Sequence, residues 1–112
     1  MNSYLEKYKE TYISDMRAHL QNMNRSFVEL EHDPGNIDLL NEIFRAAHTI
    51  KGNSATMEYD DVAHLAHEME NLLDKIRNKE ITIDQEIMDI LFESFDAIEL
   101  LWAFCFKKMK KG

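Results

Sequence analysis

An all-α, antiparallel up-down four-helix bundle is the fold this sequence predicts, and three observations predict it. Four stretches carry apolar residues at every third or fourth position, the spacing that gathers them on one face of a helix. Only one proline and three glycines occur in 112 residues, too few breakers for a turn-rich β fold. The breaks between the stretches are short, which makes successive helices antiparallel neighbours.

The first helix opens at Ser3-Tyr4-Leu5-Glu6, a capping box with Ser3 as N-cap and Glu6 reaching back. Its stripe is Tyr4, Tyr8, Tyr12, Met16, Leu20, Met23, Phe27 and Leu30. Asp33-Pro34-Gly35-Asn36 ends it as a turn. The second stripe is Ile37, Leu40, Ile43, Phe44, Ala47 and Ile50, and its helix should reach about Asn53 or a turn beyond. Tyr59-Asp60-Asp61 offers the next N-cap, ahead of Val62, Leu65, Ala66, Met69, Leu72, Leu73 and Ile76. The segment from Asn78 to Thr82 breaks the pattern, and Thr82-Ile83-Asp84-Gln85 reads as another capping box. Ile87, Ile90, Leu91, Phe95, Ile98, Leu101 and Trp102 form the fourth stripe. Beyond it, Phe104 and Phe106 either extend that helix or open a C-terminal segment, the start of a fifth helix. No linker, repeat or low-complexity stretch divides residues 1–112, which read as a single domain.

Composition narrows the function. The net charge of −8 argues against nonspecific nucleic-acid binding. The only basic run is Lys107-Lys108-Met109-Lys110-Lys111, read as a solvated terminus. Cys105 is the only cysteine, so no internal disulfide forms and a reducing compartment fits. No signal peptide and no apolar run of membrane-spanning length occurs, so the reading is cytoplasmic. No glycine-rich phosphate loop and no acid cluster for Mg²⁺ occurs either. The Met and aromatic stripes read as core, with Met filling irregular gaps.

The most informative stretch is Phe44-Arg45-Ala46-Ala47-His48-Thr49-Ile50-Lys51-Gly52-Asn53-Ser54-Ala55. On a helix, Lys51 and Gly52 stand at i+3 and i+4 from His48 and share its face. A glycine inside a helix costs roughly 1 kcal/mol relative to alanine. What it gives in return is open space beside the imidazole, and Lys51 places a positive charge where an anion could sit. An accessible imidazole beside a cation points to phosphate chemistry on His48 itself. Such chemistry needs a neutral ring nitrogen aimed at phosphorus, and the bond made by the other ring nitrogen decides which one is free. A carboxylate from a neighbouring helix would fix that choice.

The run Asn41-Glu42-Ile43-Phe44-Arg45-Ala46-Ala47-His48-Thr49-Ile50-Lys51-Gly52, followed by His67-Glu68-Met69-Glu70-Asn71-Leu72-Leu73-Asp74, resembles the histidine phosphotransfer (HPt) domain family. Within that family it is most similar to the N-terminal phosphoacceptor domains of CheA-type chemotaxis histidine kinases. The resemblance runs from the first helix to Phe95. It implies that His48 is the phosphoacceptor, that Glu70 orients its ring, that His67 belongs to the same hydrogen-bonded network, and that Lys51 stabilises the phosphoryl charge. A separate ATP-bound kinase domain would phosphorylate His48 at Nε2, and the aspartate of a response-regulator receiver domain would take the group. ATP and Mg²⁺ then belong to those partners. This domain would hold no cofactor, would not be an enzyme by itself, and would be monomeric, reaching membrane receptor arrays only through a parent protein. The sequence departs from the commonest family pattern after the motif, where many members carry more glycine and this chain has Asn53, Ser54, Ala55 and Glu58. Ala55 is small and seven residues past His48, so access is kept; Glu58 would be exposed and could alter partner choice.

Other readings fit parts of the same sequence. A free-standing relay protein would use the same chemistry with a phosphorylated aspartate as donor. A helical interaction domain would use none of it. His64 and His67 at i and i+3, with Glu68 beside them, have metal-binding spacing, but two polar-face histidines are the commoner meaning of that pattern. Glu29-Leu30-Glu31-His32 holds one Glu-x-x-His, and a di-metal carboxylate bundle needs two.

Overall fold

The structure is a computed structural model that describes residues 3–111, with side-chain environments over 6–108. It contains four helices: α1 (Ser3–His32), α2 (Ile37–Thr56), α3 (Asp60–Arg77) and α4 (Gln85–Lys111). They pack in a ring, each on its two neighbours, with α2 and α3 in the most extensive contact. The long axis measures 49 Å, about what the 30 residues of α1 span at ~1.5 Å each. The C-terminal segment is therefore no separate element: α4 runs on unbroken through Phe104 and Phe106.

The stripes become one core. Tyr12, Met16, Leu20, Met23, Phe27 and Leu30 of α1 are buried against Ile43, Ala47 and Ile50 of α2, Val62, Ala66, Met69 and Leu73 of α3, and Leu91, Phe95, Ile98 and Trp102 of α4. Phe27 sits between Phe92 and Phe95, with ring centroids 5.7 and 5.6 Å away. Three stripe positions rotate outward: Tyr8, Ile37 and Ile90 are exposed, while Leu39 and Met88 are buried near the latter two. Tyr4 and the Ser3 cap rest on side chains outside the described residues.

The helix ends explain the turns. Asn36, expected only as a turn residue, is the N-cap of α2 and accepts from the Leu39 N–H at 3.1 Å. The cap of α4 is Asp84 and not Thr82: its Oδ1 accepts from the Ile87 N–H at 2.9 Å. Tyr59 precedes α3 without a side-chain cap, and Asp60 and Asp61 instead place negative charge at the positive end of the helix. Helices α2 and α3 end alike. Tyr59 N–H bonds to Ser54 O and Glu58 N–H to Ala55 O; Glu80 N–H bonds to Lys75 O and Lys79 N–H to Ile76 O. These are paired Schellman closures. They put Glu58 and Lys79 at φ 64° and 62°, in the left-handed region where glycine is the usual residue.

Candidate phosphoacceptor site

The site lies on the outer face of the α2–α3 pair. His48 comes from the middle of α2, with Ala47 and Ile50 on either side buried in the core. Anchored neighbours fix the rotation of the helix, so the imidazole must face out, and its side chain is 65% exposed. Thr49 does not compete for it, because its hydroxyl donates to Arg45 O on its own helix at 3.0 Å. Lys51 follows on the same face, 30% exposed.

Glu70 rises from α3 to meet both. Its side chain is only 9% exposed. One oxygen, Oε2, lies 2.5 Å from His48 Nδ1; the other, Oε1, accepts from Lys51 Nζ at 2.7 Å. Burial by itself pushes the Glu70 carboxyl up. Hydrogen bonds from Lys51 and His48, with the Lys51 charge, outweigh that and hold it below its ordinary value. An ionised carboxylate can only accept, so Nδ1 must carry the proton. In the neutral ring the lone pair is then on Nε2, the nitrogen turned away from Glu70.

Around these three groups is an open hollow of about 340 Å³, lined also by Phe44, Asn71 and Asp74. A larger hollow, about 670 Å³, lies between α1 and α4 beside Leu100 and Trp102, on the other pair of helices and away from this chemistry. Gly52 and Ala55 are exposed one and two turns past His48. A Cβ placed on Gly52 would meet nothing within 4 Å, so the glycine is not required by packing inside this molecule.

His48, Lys51 and Glu70 are thus brought together, and His67 is not. His67 lies one turn before Glu70 but is exposed and makes no hydrogen bond to the cluster among the described residues. The physical reason is rotation: Glu70 points into the α2–α3 seam, and a residue three positions earlier lies on the solvent edge of it. His64 pairs with the exposed Glu68 at 3.2 Å. Among the described residues no group of three or more His, Cys, Asp or Glu is arranged to hold a metal ion. Ser54 is no part of the outer face either: it is buried and hydrogen-bonded to Tyr12 at 2.9 Å. Asn71, Asp74 and the role of Phe44 as a wall were not read from the sequence. Phe44 at i−4 from His48 and Asp74 at i+4 from Glu70 carried the signal.

A four-helix bundle that shows solvent an imidazole backed by a buried carboxylate has the architecture of a histidine phosphotransfer domain. The chain belongs to the Hpt domain family, whose sequence model matches residues 7–103. Among its relatives is the chemotaxis protein CheA of Bacillus subtilis, 45% identical over 97 residues, which are 87% of this chain and 14% of that protein. CheA of Halobacterium salinarum is 40% identical over 95 residues, 85% of this chain and again 14% of the relative. The chain therefore spans a small part of the length of these relatives. The CheA phosphotransferase domain from Thermotoga maritima superposes with a TM-score of 0.78 at 38% identity, over 88% of this chain and 95% of that one. No described helix is long and apolar enough to cross a membrane.

Proposed function

We propose that this chain is the phosphoryl-carrier domain of a CheA-type chemotaxis kinase, with His48 as acceptor. The observation that carries the proposal is the 2.5 Å contact of Glu70 with Nδ1 of a ring that is 65% exposed. It leaves Nε2 as the nucleophile and presents it to a partner.

In the forward step the Nε2 lone pair attacks the γ-phosphorus of ATP held by a separate kinase domain. The N–P bond forms, the P–O bond to ADP breaks, and ADP keeps the electron pair. The ring keeps its Nδ1 proton and becomes cationic, and the Glu70 carboxylate stabilises that charge. In the second step an aspartate of a receiver domain attacks phosphorus, the N–P bond breaks, and its electron pair returns to the imidazole. ATP and Mg²⁺ belong to the two partners, and the domain itself holds no cofactor. It works in the cytoplasm and reaches receptor arrays through a parent protein. Glu70 orients, Lys51 keeps Glu70 ionised and adds positive charge, and Gly52 and Ala55 leave room for the approaching partner.

The test is intact-mass analysis after incubation with a CheA-type catalytic domain, ATP and Mg²⁺. One acid-labile phosphate on wild type and none on His48→Gln is expected. Phosphate on histidine in His48→Gln would show the acceptor to be elsewhere.

A further inference from the structure

The acceptor imidazole is not alone on the outer face of α2 and α3. Phe44 stands one helical turn before His48 and forms a wall of the same hollow. Arg77, in the last turn of α3, lies over the Phe44 ring with its guanidinium carbon 4.1 Å from the centroid. Both residues are half-buried. The ring occupies one side of the cation, and among the described residues Arg77 has no ion pair. Its N–H donors and its charge are left for an outside group.

Lys51 is in the opposite position. Its ammonium is bound to Glu70 at 2.7 Å, so the charge is largely answered within the molecule. Asp74 adds a negative charge to the hollow, and the whole chain carries −8. Arg77 and the exposed Arg45, at i−3 from His48, are cations of this pair of helices with no ion pair among the described residues, and Arg77 is the one held on an aromatic ring.

An acidic body is what the phosphocarrier reading requires. A receiver that takes a phosphoryl group onto an aspartate needs a divalent cation, and carboxylates hold such cations. The approach face of that partner is therefore rich in carboxylates. We propose that Arg77, seated on Phe44, is a docking cation of the acceptor face and engages a carboxylate beside the receiver's acceptor aspartate. The inference rests on the phosphocarrier reading. The chemistry favours arginine here: its planar fork matches a carboxylate, it packs on an aromatic ring, and it sheds water more readily than an ammonium. The Phe44 platform holds the group in place before the encounter, which lowers the ordering cost of docking.

The experiment loads wild type, Arg77→Met, Arg77→Lys, Phe44→Leu and the Phe44→Leu/Arg77→Met double variant with phosphoramidate as a small donor. Intact mass, with His48→Gln as control, verifies a single adduct on His48. Discharge to a purified chemotaxis receiver domain with Mg²⁺ is then followed over a range of receiver concentrations. In that step the Nε2–P bond breaks, its electron pair returns to the ring, and a P–O bond forms on the receiver. For Arg77→Met we expect KM to rise about fivefold with kcat held within about twofold, and a weaker dependence on salt. Arg77→Lys restores part of the loss. Phe44→Leu raises KM as well, and the double variant is no worse than Arg77→Met alone. An unchanged KM in Arg77→Met, or a loss confined to kcat, overturns the proposal. Failure of wild type itself to load at His48 overturns the phosphocarrier reading instead, and the docking role falls with it.

Discussion

Lys51 donates to Glu70 Oε1 at 2.7 Å, and this leaves Oε2 as the oxygen that holds His48. A single carboxylate therefore sets both the tautomer of the imidazole and the position of the cation beside it. Replacing Glu70 by Gln keeps the shape and removes the charge. The amide can donate to Nδ1, which stabilises the tautomer with the proton on Nε2, where the lone pair is needed. A hydrogen bond to a charged group is worth about 1.5–3 kcal/mol, so phosphorylation of Glu70→Gln should slow about 10- to 100-fold. Imidazole ¹⁵N shifts should show the change of tautomer, and His48 should remain the modified residue.

The same carboxylate links stability to acid. Glu70 ionises below its ordinary value in the fold, so the folded state binds this proton less readily than the unfolded chain. The stability it contributes is present above the unfolded carboxylate range and is lost as pH falls through the folded value. Urea melts of wild type should weaken progressively below about pH 4.5. Glu70→Gln should lack that part of the decline.

At the end of the bundle where α2 turns into α3, Tyr12 and Ser54 share a buried hydrogen bond, and Tyr59 stacks on Tyr12 at 5.8 Å. Burial, partly countered by the bond to Ser54, pushes the Tyr12 phenol up to about 12. Ser54→Ala leaves that hydroxyl without its partner and should cost about 1–3 kcal/mol. Adding Tyr12→Phe should recover part of the loss, giving a coupling measurable in a double-mutant cycle. The alkaline limb follows with the opposite sign to Glu70. Stability is full below pH ~10, the unfolded phenol value, and falls as pH rises toward 12. In Tyr12→Phe that contribution to the fall should vanish.

Gly52 is exposed, and a Cβ there meets nothing within 4 Å. Gly52→Ala should therefore stabilise the helix by about 0.5–1 kcal/mol. Phosphorylation by the kinase domain should nevertheless slow, because the methyl group meets the partner. A thermal melt and a phosphorylation time course on the same sample separate the two effects. A gain in stability with no change in rate would show that the space is not used.

Glu58 and Lys79 hold positive φ at the two Schellman closures. A non-glycine residue in that region costs roughly 1–2 kcal/mol. Glu58→Gly and Lys79→Gly should each raise stability, by about 1 kcal/mol after the entropy of glycine is counted. The two turns belong to different helix ends, so the gains should add. Chemical denaturation of the pair and the singles checks this.

Periodicity showed where the helices are, because burial of one face leaves a repeat that a single sequence displays. It was less exact about rotation. Ile37 and Ile90 are apolar and in register, yet they are exposed, while Leu39 and Met88 are buried. A stripe three residues wide fits two rotations, and only the neighbouring helices choose between them. Caps were misplaced for a related reason. Thr82 and Asp84 are both capping residues, and geometry at the chain's entry selects Asp84. The pattern behind the proposed acceptor was legible, since His48, Lys51 and Gly52 lie within one turn of one helix. Glu70 came from the family pattern, and its contact with His48 depends on how two helices face each other. Phe44 read as core because it is aromatic and in the stripe. That it also walls the hollow and carries Arg77 follows from the α2–α3 seam, which no local pattern encodes.

Trp102 is the only tryptophan in the chain. It is buried in α4 and stacked on Phe106 at 5.2 Å, with its indole N–H buried and lacking a well-formed hydrogen bond. The chain thus has a single indole, which can be excited apart from its four tyrosines and is seated on a different helix from His48. Its emission should shift to the red as the bundle opens and its ring meets water. Light from this one ring can report the integrity of the scaffold while chemistry is followed separately on α2.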